Sequence, residues 1–171
     1  MLLIELGVFS GASIMMWADY FKNGTVLGVD KNKKCLALKG DNYTCIQKDL
    51  SLPYVLKELA NFSPTIVVDD ASHIWSHQIM ALQFIFPKMP SGAVYILEDI
   101  NTSFDECKDM YFNDADISAY DFCSAISEFV TGSRSSHLDE SFTDYAKNAR
   151  EVANQVDMIT FIHGSCIILK L

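Results

Sequence analysis

"VVDDASHIWSH", residues 67–77, passes from branched apolar residues into two aspartates, and then into a stretch of helical length, "SHIWSHQIMALQFIFPKM" (72–89). A hydrophobic strand that stops at an acid and is followed by a helix is one half of a βαβ unit. The unit recurs on either side. "LLIEL" (2–6), "TVLGVD" (25–30), "YTCIQKD" (43–49), "TIVVDD" (65–70) and "AVYILED" (93–99) are short apolar runs, and four of the five end in an acidic residue. Between them, "SGASIMMWADYFKN" (10–23), "KNKKCLALKGD" (31–41) and "LSLPYVLKELANF" (50–62) have helical length. The alternation predicts a parallel sheet with helices on both faces, and double-sided burial explains why the strands are continuously apolar.

The pattern changes after Asp99. Residues 100–117, "INTSFDECKDMYFNDADI", are polar and irregular and predict a long loop. Residues 118–131 and about 138–154 predict helices. "DMITFIHGSCIILKL" (157–171) predicts two strands joined at "HG", a hairpin. The expected plan is one α/β domain over 1–171, five parallel strands closed by an antiparallel hairpin.

Bulk properties agree with one domain. The chain has 171 residues, 50% of them hydrophobic and 12% aromatic, which excludes a disordered chain. A net charge of −9 disfavours nucleic-acid partners, and the densest basic run, "KNKKC" (31–35), reads as a solvated helix start. Cys35, Cys45, Cys107, Cys123 and Cys166 show no C-x-x-C spacing. They read as buried small apolar residues in a reducing compartment, so a cytoplasmic location is expected. No apolar run reaches the ~18 residues of a membrane span. "MLLIELGVF" lacks a basic start and is broken by Glu5, so neither a membrane anchor nor a secretion signal is expected.

In an open α/β sheet, ligands bind beyond the carboxyl ends of the strands. The first such end is "IELGVFSGAS". Gly7 permits a sharp turn, and Gly11 permits close approach of a ligand or helix. Ser10 and Ser13 stand where a helix N-terminus favours an anion. Asp30, at the end of the second strand, suits ribose hydroxyls, and Asp49, at the end of the third, suits an adenine amino group. The Gly-x-x-x-Gly spacing does not fit a nicotinamide-dinucleotide fingerprint. A generic βαβ turn would carry the same glycines.

"IELGVFSGASIMMW…GVD" resembles the first motif and ribose acid of class I S-adenosylmethionine-dependent methyltransferases. "ELGVFSGAS", "GVD", "VVDDASHIWSHQ", "SGAVYILEDINTSF" and "ITFIHGSCIILKL" together resemble the macrocin- and mycinamicin-type sugar O-methyltransferases and their cephalosporin-hydroxylase-like relatives. The resemblance runs almost end to end and implies a Rossmann-like seven-stranded sheet of order 3-2-1-4-5-7-6 with the last strand antiparallel. It implies S-adenosylmethionine binding through Glu5, Gly7, Gly11, Ser13, Asp30, Asp49 and Asp69. It maps a divalent metal, magnesium or a similar cation, onto Asp70, Glu98 and Asp99, and a catalytic base onto His73. The implied reaction is methylation of a hydroxyl on a small-molecule acceptor, a sugar or similar polyol, in natural-product or surface-glycan biosynthesis. Ala71 stands where that family commonly has glycine. The chain also starts at the first strand, so cover for the cofactor is expected from another subunit or domain, and a homo-oligomer is expected.

Two alternatives stay open on the residues alone. "HIWSH" spaces His73 and His77 as i and i+4, which on one helix face would join Asp70 in an iron-binding triad of a hydroxylase. A shortened, non-catalytic domain that binds a nucleoside is the other. Asp70 or Ser72 could simply cap the helix that follows. Trp17 and Trp75 are expected in the core, His163 in a structural turn, and Tyr111, Phe112 and the acids of 105–116 in a loop that shapes specificity.

Overall fold

The strand ends in the computed structural model fall where the acids do. The structure describes residues 1–104, 106–113, 115–132 and 143–171. Its strands are β1 (Leu2–Leu6), β2 (Thr25–Asp30), β3 (Tyr43–Gln47), β4 (Ile66–Asp69), β5 (Val94–Leu97), β6 (Val156–Ile162) and β7 (Ser165–Lys170). They form one sheet of order β3-β2-β1-β4-β5-β7-β6. β1 to β5 pair in parallel, and β7 lies antiparallel to both β5 and β6. β6 therefore runs in the same direction as β1 to β5, and β7 alone is reversed. This is the order implied by the resemblance.

The helices are α1 (Ala12–Tyr20), α2 (Pro53–Ala60), α3 (Trp75–Ile85), α4 (Lys108–Tyr111), α5 (Ala119–Val130) and α6 (Thr143–Ala153). Pro53 occupies the start of α2, where its missing N–H costs nothing. Ser118 caps α5 by accepting from the Asp121 amide at 3.0 Å. The core divides between the two faces of the sheet. Leu3, Val26 and Cys45 pack with Ile14 and Ala18 of α1, whereas Ile4, Leu6, Val67 and Leu97 pack with residues of α2, α3 and α5. Neighbours Leu3 and Ile4 fall in different clusters, as the two-residue period of a strand requires.

Several expectations are corrected. Residues 31–41 form no α-helix, only a 3-10 turn at Lys33–Ala37. Asn32 caps that turn through the Lys34 amide, and an isolated bridge between Lys39 and Thr44 then draws the chain back into β3. α3 begins at Trp75, next to the expected start near Ile74. The 100–117 segment carries a 3-10 turn at Ile100–Ser103 and the single turn of α4. Asp105 and Asp114 of that loop, and positions 138–142 of the expected 138–154 helix, lie outside the described residues; α6 accounts for the rest.

Register sets the rim of the sheet. Val29, Leu6, Asp69 and Leu97 are aligned across β2, β1, β4 and β5. The next row outward is therefore Asp30, Gly7, Asp70 and Glu98. Backbone bonds zip it: Gly7 N donates to Val29 O (2.8 Å), Asp70 N to Leu6 O (2.9 Å) and Glu98 N to Asp69 O (2.9 Å). Gly7 has φ +87°, and a Cβ there would lie 2.2 Å from the Asp70 carbonyl oxygen. Only glycine fits.

Gly92 has a similar φ of +77° but nothing within 4 Å of a built Cβ, so it separates the conformational cost from the steric one. Gly92→Ala should lose about 1 kcal/mol of stability, the cost of left-handed backbone alone. Gly7→Ala should lose about 3 kcal/mol or more, because it adds a backbone collision. Urea midpoints measure both, and equal losses would refute the close approach.

Candidate active site

Two clefts open at this rim on either side of Gly7, Asp30 and Ala71, which line both. One, of about 320 Å³, extends towards Asp49, Ser51, Ser72 and His77. The other, of about 300 Å³, extends over Val8, Ser10 and Ser13 to Asp70. Each has the volume of a small-molecule subsite.

Asp30 holds the turn between them. Its Oδ2 accepts from the amides of Val8 (3.0 Å) and Phe9 (3.2 Å), and its Oδ1 from Asn32 (2.7 Å). Burial pushes its pKa up, but these amides and Lys31 outweigh it and hold the carboxyl below the usual range. The carboxylate thus first fixes the β1–α1 turn, and its remaining lone pairs face the clefts. Asp49 accepts from the Ser51 hydroxyl and amide, which lower its pKa. Gly11 starts α1 in a left-handed conformation with no side-chain cap. Phe9, at φ 47°, is 96% exposed beside it.

Glu5 is different. It is 1% exposed in the central strand, and neither carboxylate oxygen has a hydrogen-bond partner of good geometry. Burial pushes its pKa up to about 7; the nearby Ser13 hydroxyl opposes this, and Asp70 and Glu98 add to it. A buried acid of this kind carries a desolvation cost that a cation or donor would offset. Asp69 is also buried, but Tyr95 donates to it at 2.9 Å, and burial against that bond leaves its pKa at about 7. Asp69 borders the larger cleft while anchored to the core.

Beyond the Asp70 end, the loops after β4 and β5 meet. His73 Nε2 lies 3.8 Å from Asp70 Oδ1 and 3.4 Å from Asp99 Oδ2. One ligand atom from each of the three residues lies within 4.8 Å of the others, an arrangement able to hold a cation. Glu98 is not among these three, though it is close enough to interact with all of them. Burial and the charges of Asp70 and Asp99 raise its pKa, with His73 opposing. Burial and Asp99 likewise raise that of Asp70, again against His73. Mutually repelling carboxylates at one point fit a hard divalent cation, which removes the repulsion.

His73 and Asp99 both adopt left-handed backbone, φ 55° and 51°. Such conformations cost roughly 1–3 kcal/mol each in non-glycine residues. Thr102 fastens the two loops. Its hydroxyl donates to Asp99 O at 2.7 Å and lies 3.5 Å from His73 O, and its carbonyl accepts from the Trp75 indole at 3.1 Å. Ser103 accepts from the Tyr120 amide and ties the same turn to α5. Neither role is apparent in the sequence, although "EDINTS" was part of the motif. Tyr111 places its ring 6.1 Å from His73, so the 100–117 loop does reach the site.

The paired-histidine alternative finds no support in the structure. His73 precedes α3 in left-handed backbone, so it shares no helix face with His77. The His77 Nδ1 instead bonds the Ser72 hydroxyl at 2.9 Å and lines the larger cleft. The His73–His77–Asp70 triad does not form. Nor does Asp70 or Ser72 cap α3: the cap position is Ile74, without a side-chain bond. Trp75 is buried and Trp17 packs on Phe21, both in the core as expected. His163 is exposed in the hairpin turn. No helix among the described residues is long and apolar enough to cross a membrane.

No family model matches the chain. It is 36% identical over 110 residues to the 8-demethyl-8-alpha-L-rhamnosyl tetracenomycin-C 2'-O-methyltransferase of Streptomyces olivaceus, covering 59% of this chain and 29% of that protein. It is 32% identical over 110 residues to the demethylmacrocin O-methyltransferase of Streptomyces fradiae, covering 59% and 28%. The chain thus spans under a third of the length of these relatives. The solved MycE methyltransferase of the mycinamycin pathway, in complex with Mg, SAH and mycinamycin VI, superposes with a TM-score of 0.77 at 20% identity, over 99% of this chain and 44% of that one. Over about three fifths of its length the chain is similar in sequence to sugar O-methyltransferases of the tetracenomycin and macrocin type, and its fold is that of the MycE methyltransferase.

Proposed function

We propose that this domain transfers a methyl group from S-adenosylmethionine to a hydroxyl of a sugar or similar polyol, with a divalent cation at Asp70, Asp99 and Glu98. The observation that carries the reading is the convergence of Asp70, His73 and Asp99 at the mouth of the cleft that ends on Asp70. The relatives named above, and the Mg and SAH in the MycE complex, support it. The adenosine occupies the larger cleft, with Asp30 at the ribose and Asp49 towards the base. The methionine part lies over Ser10, Ser13 and the uncapped start of α1, whose amides suit its carboxylate. Glu5 serves the ammonium of that moiety, which explains a carboxylate otherwise left buried and unpaired.

A cation bound beside the acceptor would lower the pKa of its hydroxyl. His73 Nε2 takes the proton as the oxygen attacks the sulfonium methyl in line. The O–C bond forms, the C–S bond breaks, and S-adenosylhomocysteine (SAH) leaves. Tyr111 borders the acceptor side. We extend the reading to a self-associating, cytoplasmic protein. Met158, Phe161 and Ile162 exposed on edge strand β6 support the first, and five free cysteines the second.

Calorimetry with SAH, with and without magnesium, tests the core of the reading. Binding is expected, and none at millimolar ligand would sink it. Chelator should abolish transfer and magnesium restore it. Light scattering on the same sample should exceed a monomer's mass. His73→Ala should slow transfer by roughly 10²–10⁴-fold with SAH affinity unchanged; a full rate in that variant removes the base.

Glu5 generates a pH test. It titrates at an ordinary 4.5 when unfolded and at about 7 when folded. The folded state therefore keeps a proton that the unfolded state loses, and stability from this group falls as pH rises from about 4.5 to 7. Glu5→Gln should flatten that slope, with Asp69, Asp70 and Glu98 contributing what remains, and should weaken SAH binding. Urea midpoints at pH 5 and pH 8 decide it; an unchanged slope would contradict the assignment.

A further inference from the structure

His77 belongs neither to the acid cluster nor to the chemistry proposed above, yet its ring lines the nucleoside cleft. Its Nδ1 is held by Ser72 Oγ at 2.9 Å, while Nε2 has no hydrogen-bond partner among the described residues and is not enclosed. The Ser72 hydroxyl oxygen also lies 3.4 Å from the Ile74 amide, which donates to it. The Ser72 oxygen can accept from that amide and still pair with His77 Nδ1 in either sense, so the bond fixes the ring's position and orientation. A neutral imidazole that accepts at Nδ1 carries its hydrogen on Nε2. Burial holds the ring below its ordinary pKa, against Asp49 and with Lys31, which keeps it neutral near pH 7.

We infer that His77, its ring held by Ser72, takes the tautomer that accepts at Nδ1 and presents an Nε2–H donor that reads a ring nitrogen of the purine in the bound cofactor. This deepens the methyl-donor reading and rests on it. The reason is one of chemical type. Adenine offers N1, N3 and N7 as acceptors on its edges. Of the carboxylates that border the same cleft, Asp30 and Asp49 are held ionised and only accept, and Asp69 is engaged by the Tyr95 hydroxyl in the core. Lys31 and Ser51 also reach the cleft, but no side-chain bond fixes Lys31, and the Ser51 hydroxyl already donates to Asp49 at 2.7 Å. His77 is the donor with a locked ring.

The test uses calorimetric affinities for SAH and for its 1-deaza, 3-deaza and 7-deaza analogues. The wild type should bind one of the three about 3- to 10-fold more weakly than SAH, the effect of one lost hydrogen bond. His77→Ala should bind SAH about 3- to 10-fold more weakly and should bind that analogue as well as SAH. His77→Gln places an amide N–H near the Nε2 position and should recover most of the affinity. Ser72→Ala should weaken SAH binding by a smaller factor. Circular dichroism of each variant confirms the fold, and the analogue series on the wild type stands even if a variant fails to fold. Equal affinity for all three analogues and SAH, or a His77→Ala variant that keeps both its affinity and its discrimination, would overturn the inference alone. A wild-type chain that binds no SAH would bring down the methyl-donor reading and this one with it.

Discussion

The close approach of Gly7 to the Asp70 carbonyl is the constraint on which the site depends. A Cβ at position 7 would meet that oxygen at 2.2 Å, and the Asp70 amide is bonded to Leu6 O at 2.9 Å. The β1–α1 turn and the β4–α3 loop are thereby locked backbone to backbone, without intervening side chains. Since Gly7 and Asp70 share one row of the sheet, the cleft proposed for the cofactor and the acidic corner proposed for the metal become neighbours at fixed distance. Methyl transfer demands such proximity: donor carbon and acceptor oxygen must meet in line, and an error of an ångström is costly.

Charge explains the remainder of the rim. Asp30 is neutralised by three backbone amides, and Asp69 is answered by a tyrosine hydroxyl. Glu5, Asp70 and Glu98 receive no such compensation, and burial and mutual repulsion raise their pKa values. The fold therefore sorts its acids into a set bonded by amides and hydroxyls and a set whose pKa values are raised by burial and by one another. Left-handed backbone at Phe9, His73 and Asp99 clusters at the same rim, and that strain persists only because neighbours such as Thr102 and Asp30 hold it.

The sequence by itself determined the sheet. Continuous apolar runs alternating with stretches of helical length are the pattern of buried parallel strands, and β2 to β5 end within a residue or two of their acids. The joint pattern of "VVDDASH" and "EDINTS" also located Asp70, His73 and Asp99. These features are local or periodic, so they survive in one dimension. The 3-10 turn at Lys33–Ala37 was not legible, because helical length alone cannot reveal the bridge from Lys39 to Thr44 that cuts it short. The spacing of His73 and His77 left an alternative open for a related reason: i and i+4 share a face only if both lie in the helix, and α3 starts two residues after His73. Only the tertiary structure decided which histidine meets the carboxylates and which faces the nucleoside cleft, because that depends on a positive φ at His73 and on the Ser72 hydroxyl. Neither leaves a periodic trace in the sequence, since each arises from contacts between loops brought together by the packed sheet.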